Sequence, residues 1–392
     1  MAATVLSEFA DFNEYSNATR DRLVAVLNFI EKAVQTLGTW EFGLAVIGSV
    51  LNVFHLIILT RKPMRSSSTN VLMIGIGACD LFIMVFCGYA ELEELVNPDY
   101  ECWTPSSYLK LVLDLWASAL KDDLRRLSAW LGVLMATVRF LIVKNSLNPR
   151  WDRLSQPPFG WKLILISLVF SSFISMFYWA RLEIIEIDPW IPAQHCSNFP
   201  ANYTEQQFGL INNDLFLKND LLALQIFLFT DGTLKIIPAA VFPILTFLLI
   251  RELKSAEVSR RKISVAQKGD SAKKDHTTNL VILMTVTFMI AEGPLGMIYV
   301  FQGFLTTKPG FLAITTGITD LLNIFVAINA TTHCVICLTM SSQYRNCVRR
   351  TFCCVKEQKK TVTVSPKVSV GSAASLKNVV ISVACVANHP KT

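Results

Sequence analysis

The chain has 392 residues with 36 Lys and Arg against 30 Asp and Glu, a formal net charge of +6, and it is 52% hydrophobic but only 17% charged. Soluble domains carry about a quarter charged residues, so this deficit argues against an ordinary soluble enzyme, and a mean hydropathy of +0.43 excludes collagen-like, coiled-coil or largely disordered chains. Ten cysteines over this length are too few and too scattered for a disulfide scaffold, and lipid is the expected solvent.

Residues 1–38 form an N-terminal segment with no basic stretch leading into an apolar run. No cleaved signal peptide is expected, and the first span serves as its own anchor. The segment carries the sequon Asn17-Ala18-Thr19. A bilayer core of about 30 Å takes about 20 apolar residues per helix, and runs of that length follow at Thr39 to Leu59 and Asn70 to Ala90. A third candidate, Ser107 to Val143, is interrupted midway by Lys121, Asp122, Asp123, Arg125 and Arg126. The fourth is Trp161 to Leu182, after which comes a second sequon, Asn202-Tyr203-Thr204. Leu221 to Ile250, Leu280 to Leu305 and Phe311 to Met340 complete the set. Residues 341–354 read as a short amphipathic helix at the membrane surface, with palmitoylation expected at Cys353 and Cys354, and residues 355–392 as a mostly disordered tail. The expected fold is an all-α membrane protein, a seven-transmembrane helix bundle over residues 39–340 followed by that eighth helix.

The third span is required by topology, because without it the basic segments at Arg61 and at Arg251 to Lys274 would lie on opposite sides of the membrane. With it, twenty Lys and Arg fall in the inner loops and proximal tail against five in the outer segments. That excess places the N-terminus outside and the C-terminus in the cytoplasm, with both sequons outside. The expected location is the plasma membrane, multi-pass, with a sensory neuron membrane as the finer reading. Cys102 and Cys196 are the only cysteines predicted to lie outside, which points to a bridge between them.

Ionisable side chains at membrane depth are costly unless paired or hydrated, so each is a functional candidate. Asn52, Asp80, Ser128 and Asn329 lie at depths where a small polar cluster can share hydrogen bonds. Lys121, Arg125 and Ser128 fall on one face of the third span, with Asp122 and Arg126 as a second stripe beside it. Two readings stand side by side. Either these charges close into an internal ion-pair network with carboxylates such as Glu91, Asp231 and Glu292, or Lys121 and Arg125 offer donors to acidic or amidated ligand groups while Asp122 and Glu91 receive a basic one. Pro238 and Pro294 each remove a helical hydrogen bond and give the fifth and sixth spans a hinge.

The run Leu51-Asn52-Val53-Phe54-His55 through Arg61-Lys62, followed by Met64-Arg65 and Cys79-Asp80-Leu81, resembles the rhodopsin-like G-protein-coupled receptors. Similar stretches are Trp130 through Ala136 with Arg139, Lys144-Asn145 and Asn148-Pro149; Lys235 through Pro238; Ala291 through Gly296; and His333-Cys334 through Arg345. The likeness runs over residues 40 to 352. It looks closest to the nematode serpentine receptor class W, chemoreceptors similar to FMRFamide-like peptide receptors.

The resemblance implies that Arg139 is the arginine that turns to a G protein, although Val138 and Phe140 flank it and the usual carboxylate lock is missing. It implies a sodium pocket at Asp80, Ser128 and Asn329, an allosteric sodium ion being the only cofactor considered. Glu292 stands at the toggle tryptophan position, with Phe288 one turn deeper. His333 and Cys337 stand where an Asn-Pro-x-x-Tyr motif normally lies. Expected partners are an extracellular peptide or, second, an environmental small molecule; a heterotrimeric G protein docking near Arg139, Lys144, Arg251 and Lys274; and membrane lipids.

Rival classes fare poorly. No internal repeat supports a transporter. Of five His only His55 and His333 lie in spans, and no nucleophilic or metal constellation is legible, so no enzyme is expected. The basic stretches lack interleaved aromatics, so nucleic acid is not implied.

Overall fold

The structure, a computed structural model, describes residues 12, 14–96, 102–146, 148–196, 199–200, 202–263 and 272–352. The expectations for Cys353, Cys354 and residues 355–392 lie outside the described residues. The Lys274 side chain does too.

Seven helices among the described residues are long and apolar enough to cross a membrane. They are α1 (Asn17–Leu59), α2 (Ser68–Val96), α3 (Tyr108–Lys144), α4 (Pro157–Ala180), α5 (Asp214–Ile263), α6 (Ala272–Leu305) and α7 (Pro309–Met340), followed by a shorter α8 (Ser342–Phe352). The interrupted third run is one continuous helix of 37 residues, begun by the Ser107 side chain accepting a hydrogen bond from the Lys110 amide. Helix α3 packs against α2, α4 and α5, and α7 closes the ring against α1 and α6.

Three expectations need adjustment. Helix α1 begins at Asn17 rather than Thr39, and its 43 residues make a rod of about 65 Å, twice what a bilayer core requires. Its upstream half packs onto α7, where Leu27 and Ala313 are buried and Phe12 meets the edge of Phe311. The fourth span ends at Ala180, and Leu182 opens a strand. That strand, β1 (Leu182–Trp190), pairs antiparallel with β2 (Glu205–Asn212), Ile185 opposite Gly209, in a two-stranded sheet no span-length reading anticipates. Finally, α5 contains Pro243 as well as Pro238, while α6 contains the expected Pro294.

The outer surface of the helices is apolar, as lipid solvent demands. On α4 alone Leu165, Ile166, Val169, Phe170 and Met176 are exposed, while Ser171 and Ser175 face inward. One cluster fills the end of the bundle away from the sheet, with Ile58, Leu72, Leu131, Val138, Leu249 and Ile336 buried together. There Tyr344 of α8 is fully buried, its hydroxyl 3.0 Å from Nδ1 of His55, and Gln343 donates to the Pro63 carbonyl. At the sheet end a disulfide joins Cys102 to Cys196, with Cα atoms 5.4 Å apart.

Small residues set how closely α5 and α6 approach. A Cβ on Gly232 would stand 2.8 Å from the Val300 amide nitrogen, and one on Gly296 would stand 3.0 Å from that of Ile236. In lipid, where apolar association has little solvent drive, such close contact is a main source of helix affinity. We expect Gly232→Ala to cost about 1–3 kcal/mol by forcing the backbones apart. Gly43→Ala, with nothing within 4 Å of the new atom, should be neutral or slightly stabilising. Unfolding midpoints of the purified proteins in nanodiscs check the contrast.

Candidate functional site

Helix α3 carries five charged residues within six positions, and their directions follow from helical spacing. The stripe of Asp122 and Arg126 faces α5 and α4. Arg126, 1% exposed, pairs with Asp122 one turn back and with Asp231 of α5 at 2.8 Å. Its other terminal nitrogen donates to the Ser171 carbonyl at 3.2 Å and to Ser175 Oγ at 3.1 Å. Lys235, one turn after Asp231, closes the figure by donating to Asp122 at 3.1 Å and to Asp231, with its Nζ 3.7 Å from the centroid of Tyr299. Two cations and two anions form a neutral quartet. Isolated charges in so dry a place would each cost several kcal/mol, and mutual pairing with additional hydrogen bonds offsets that cost. Asp123 turns to α4, where it accepts from Ser172 Oγ at 2.8 Å.

The stripe of Lys121, Arg125 and Ser128 faces α2, α6 and α7. Arg125 donates to Asn323 Oδ1 of α7 at 3.0 Å and lies 3.5 Å from Glu292 of α6. The pair is loose: Arg125 Nε and Nη2 and Glu292 Oε2 are buried without a hydrogen-bond partner. Lys121 lies over the Phe86 ring of α2, 4.8 Å from its centroid, and makes no hydrogen bond or salt bridge among the described residues. Glu91 is turned toward α1, its Oε2 2.8 Å from where a Cβ on Gly38 would stand.

One turn deeper, Asp80 of α2 gathers two helices. Its Oδ1 accepts from Ser128 Oγ at 3.1 Å, and its Oδ2 lies 2.7 Å from Nδ1 of His333 on α7. Between this cluster and the Arg125–Glu292 pair lies a cavity of about 30 Å³, lined by Asp80, Ser128, Asn329 and His333 below and by Arg125, Glu292 and Phe288 above. Space of that size admits water, and the unpartnered Asn329 Oδ1 gives it an acceptor. Phe288 meets the edge of Phe242 on α5 at 5.3 Å, so the layer beneath the pair is aromatic.

The six residues expected at a ligand pocket therefore divide. Asp122 and Asp231 have their oxygens taken by the quartet, Arg125 and Glu292 face each other, and Lys121 and Glu91 lie nearer the sheet end. Arg139, toward the α8 end of α3, makes no salt bridge or side-chain hydrogen bond among the described residues, and its neighbour is the buried Cys337. Lys144 and Arg251 are exposed at that same end. Asn17 and Asn202 are exposed, Asn202 with φ of 62°. Lys235, Asn323 and Asp123 were not singled out for a role from sequence. The spacing of Asp231 and Lys235, one turn apart inside an apolar run, was the available signal for the first of them.

Comparison with known proteins fits this architecture. The profile of the family described as serpentine type 7TM GPCR chemoreceptor Srw matches residues 39–355. The chain is similar to the G-protein coupled receptor dmsr-1 of Caenorhabditis elegans, 20% identical over 371 residues, covering 85% of this chain and 70% of that protein. It is also similar to rhodopsin of Sminthopsis crassicaudata, 25% identical with 82% of each chain covered, and to rhodopsin of Atherina boyeri, 22% identical with 88% of each covered.

Removing one charge of the quartet strands the others. Asp231→Asn should destabilise the protein by about 3–5 kcal/mol. Replacing Asp231 and Lys235 together by Leu and Met leaves Asp122 and Arg126 as a neutral pair and should recover most of that loss. Thermal unfolding of the single and double variants measures the difference.

Proposed function

Since the chain belongs to the serpentine-type seven-transmembrane chemoreceptor family Srw, and is thus a G-protein-coupled receptor, we propose that it binds an extracellular peptide at the sheet end of the bundle and activates a heterotrimeric G protein at the other. The N-terminus, sheet and disulfide lie outside the cell in this reading. The twenty-to-five distribution of basic residues supports that orientation, as does the disulfide, which persists in oxidising compartments.

The observation that carries the peptide reading is a reversal of charge with depth. Residues 182–212, which include both strands, hold Glu183, Glu186, Asp188 and Glu205 and no Lys or Arg. Beneath this acidic rim, Lys121 presents an ammonium group that lies over the Phe86 ring, 4.8 Å from its centroid. A peptide offers a basic side chain and an anionic or carbonyl-rich end on one molecule, and so satisfies both levels. Each strand of the sheet also keeps one edge unpaired, along which an extended chain can hydrogen-bond. The chemoreceptor description of the family favours a second reading, a small molecule from the environment.

At the inner end Arg139 is poised for a partner, since no carboxylate among the described residues holds it. Exposed Lys144, Arg251, Arg349 and Arg350 give that face a positive field. Ligand binding shifts the population toward a state in which α5 and α6 move about Pro238 and Pro294. Arg345 and the exposed Arg349 and Arg350 on α8 are well placed to meet anionic headgroups.

A peptide-library screen in cells reporting calcium and cyclic AMP tests the ligand class, and an active peptide then allows two variants to be read. Arg139→Ala should abolish G-protein activation with surface expression intact. Lys121→Ala should lower potency about tenfold or more while folding yield is little changed. A response confined to small odorants would replace the peptide reading with the second one, and a pure expression defect in Lys121→Ala would assign that residue to the scaffold.

A further inference from the structure

The sodium ion implied by resemblance does not suit the residues that surround Asp80. A small hard cation needs several oxygen ligands converging on one point, with no competing donor aimed at it. Here both carboxylate oxygens of Asp80 already accept hydrogen bonds, Oδ1 from Ser128 at 3.1 Å and Oδ2 from the His333 ring nitrogen at 2.7 Å. The remaining cavity is shared by the imidazole of His333 and the guanidinium of Arg125. Their N–H groups cannot ligate a cation, and Arg125 carries a fixed positive charge with two nitrogens buried and unpartnered beside that space. Of the lining oxygens, Asn329 Oδ1 and Glu292 Oε2 are free of a hydrogen-bond partner, but the Glu292 carboxylate already faces the fixed charge of Arg125 at 3.5 Å, and one neutral amide is a poor ion site on its own.

We infer that His333 takes the ion's place: its ring is the donor that joins α7 to Asp80 of α2, which Ser128 in turn joins to α3, so the receptor's resting state is indifferent to sodium. The consequence is a change in what can regulate the site. An exchangeable ion couples receptor state to its concentration through differential affinity. A side chain built into α7 cannot leave, and the link between α2, α3 and α7 persists until α7 itself moves. The inference stands on the geometry around Asp80 and does not depend on the ligand's being a peptide.

The test uses the full chain in lipid nanodiscs, with unfolding followed by tryptophan fluorescence in sodium chloride or in N-methyl-D-glucamine chloride at equal ionic strength. For the unaltered protein the midpoint should be the same in both salts up to about 0.15 M. His333→Ala removes the ring and opens oxygens around Asp80, so sodium but not the organic cation should raise its midpoint, saturably, by about 2–4 °C. Adding Asp80→Asn to that variant should erase the gain. A saturable, sodium-specific stabilisation of the unaltered protein overturns the inference. So does a His333→Ala protein that ignores sodium, or a gain that survives Asp80→Asn. If His333→Ala fails to fold, His333→Asn reports the same contrast with a smaller polar side chain, and the measurement on the unaltered protein needs no variant.

Discussion

A charge in hydrocarbon must find its opposite inside the protein, and α3 brings five charged side chains to the middle of a membrane-spanning helix. That constraint orients the helices around it. Because Asp122 and Arg126 lie one turn apart, α5 must present Asp231 and Lys235, also one turn apart, to the same height. Because Arg126 has donors left over, α4 must turn Ser171 and Ser175 inward while Leu165, Ile166, Val169, Phe170 and Met176 go to lipid. Packing of Gly232 and Gly296 then sets how near α6 comes to α5, which brings Glu292 within reach of Arg125. The quartet is thus a registration device as much as a source of stability, consistent with buried ionic groups contributing less net energy than specificity of arrangement.

The two stripes differ in completeness, and the difference separates scaffold from mechanism. In the quartet every charge has two close opposites, and Arg126 adds hydrogen bonds to Ser171 and Ser175, leaving its Nε as the one buried atom there without a partner. In the other stripe Lys121 has an aromatic ring, and the Arg125–Glu292 pair leaves three buried polar atoms unpartnered. Unsatisfied groups in a low-dielectric setting gain much from a small rearrangement that supplies a partner. The half-made stripe links α3 to α6 and α7, and it lies between the acidic sheet end and a buried histidine-carboxylate pair.

Much of this was legible in the chain. Span lengths, the charge excess on one side and the need for a seventh crossing depend on solvent and on total charge, which the residue list records directly. The stripes on α3 were legible because helical spacing alone divides Lys121, Arg125 and Ser128 from Asp122 and Arg126. Which stripe would close was not, since that depends on the rotation of α5 about its axis, and Lys235 drew no role while its partner Asp231 did. The hairpin was missed because Leu182 to Trp190 alternates only partly and follows an apolar helix without a break, so a strand start looked like a helix end. The length of α1 was missed because charged and polar residues such as Arg20, Asp21, Arg22, Glu31 and Lys32 interrupt its first half, which gains its place from packing on α7.

The polar contacts that α3 makes with α6 and that α7 makes with α2 are related. Glu292 of α6 faces a cationic partner on α3, and a side chain that is charged must exchange partners to move. Arg125 already touches α7 through Asn323, so under the proposed function a ligand that draws Arg125 away from Glu292 alters the contacts of α6 and α7 together. Below, His333 ties α7 to Asp80 of α2, and Arg139 has no carboxylate partner among the described residues. Under the proposed function, the restraint on the resting state therefore lies in the polar middle of α3. Barriers set by exchange of buried polar partners respond to the charge of a ligand rather than to its bulk, which is the property a receptor with an acidic rim and a basic floor requires.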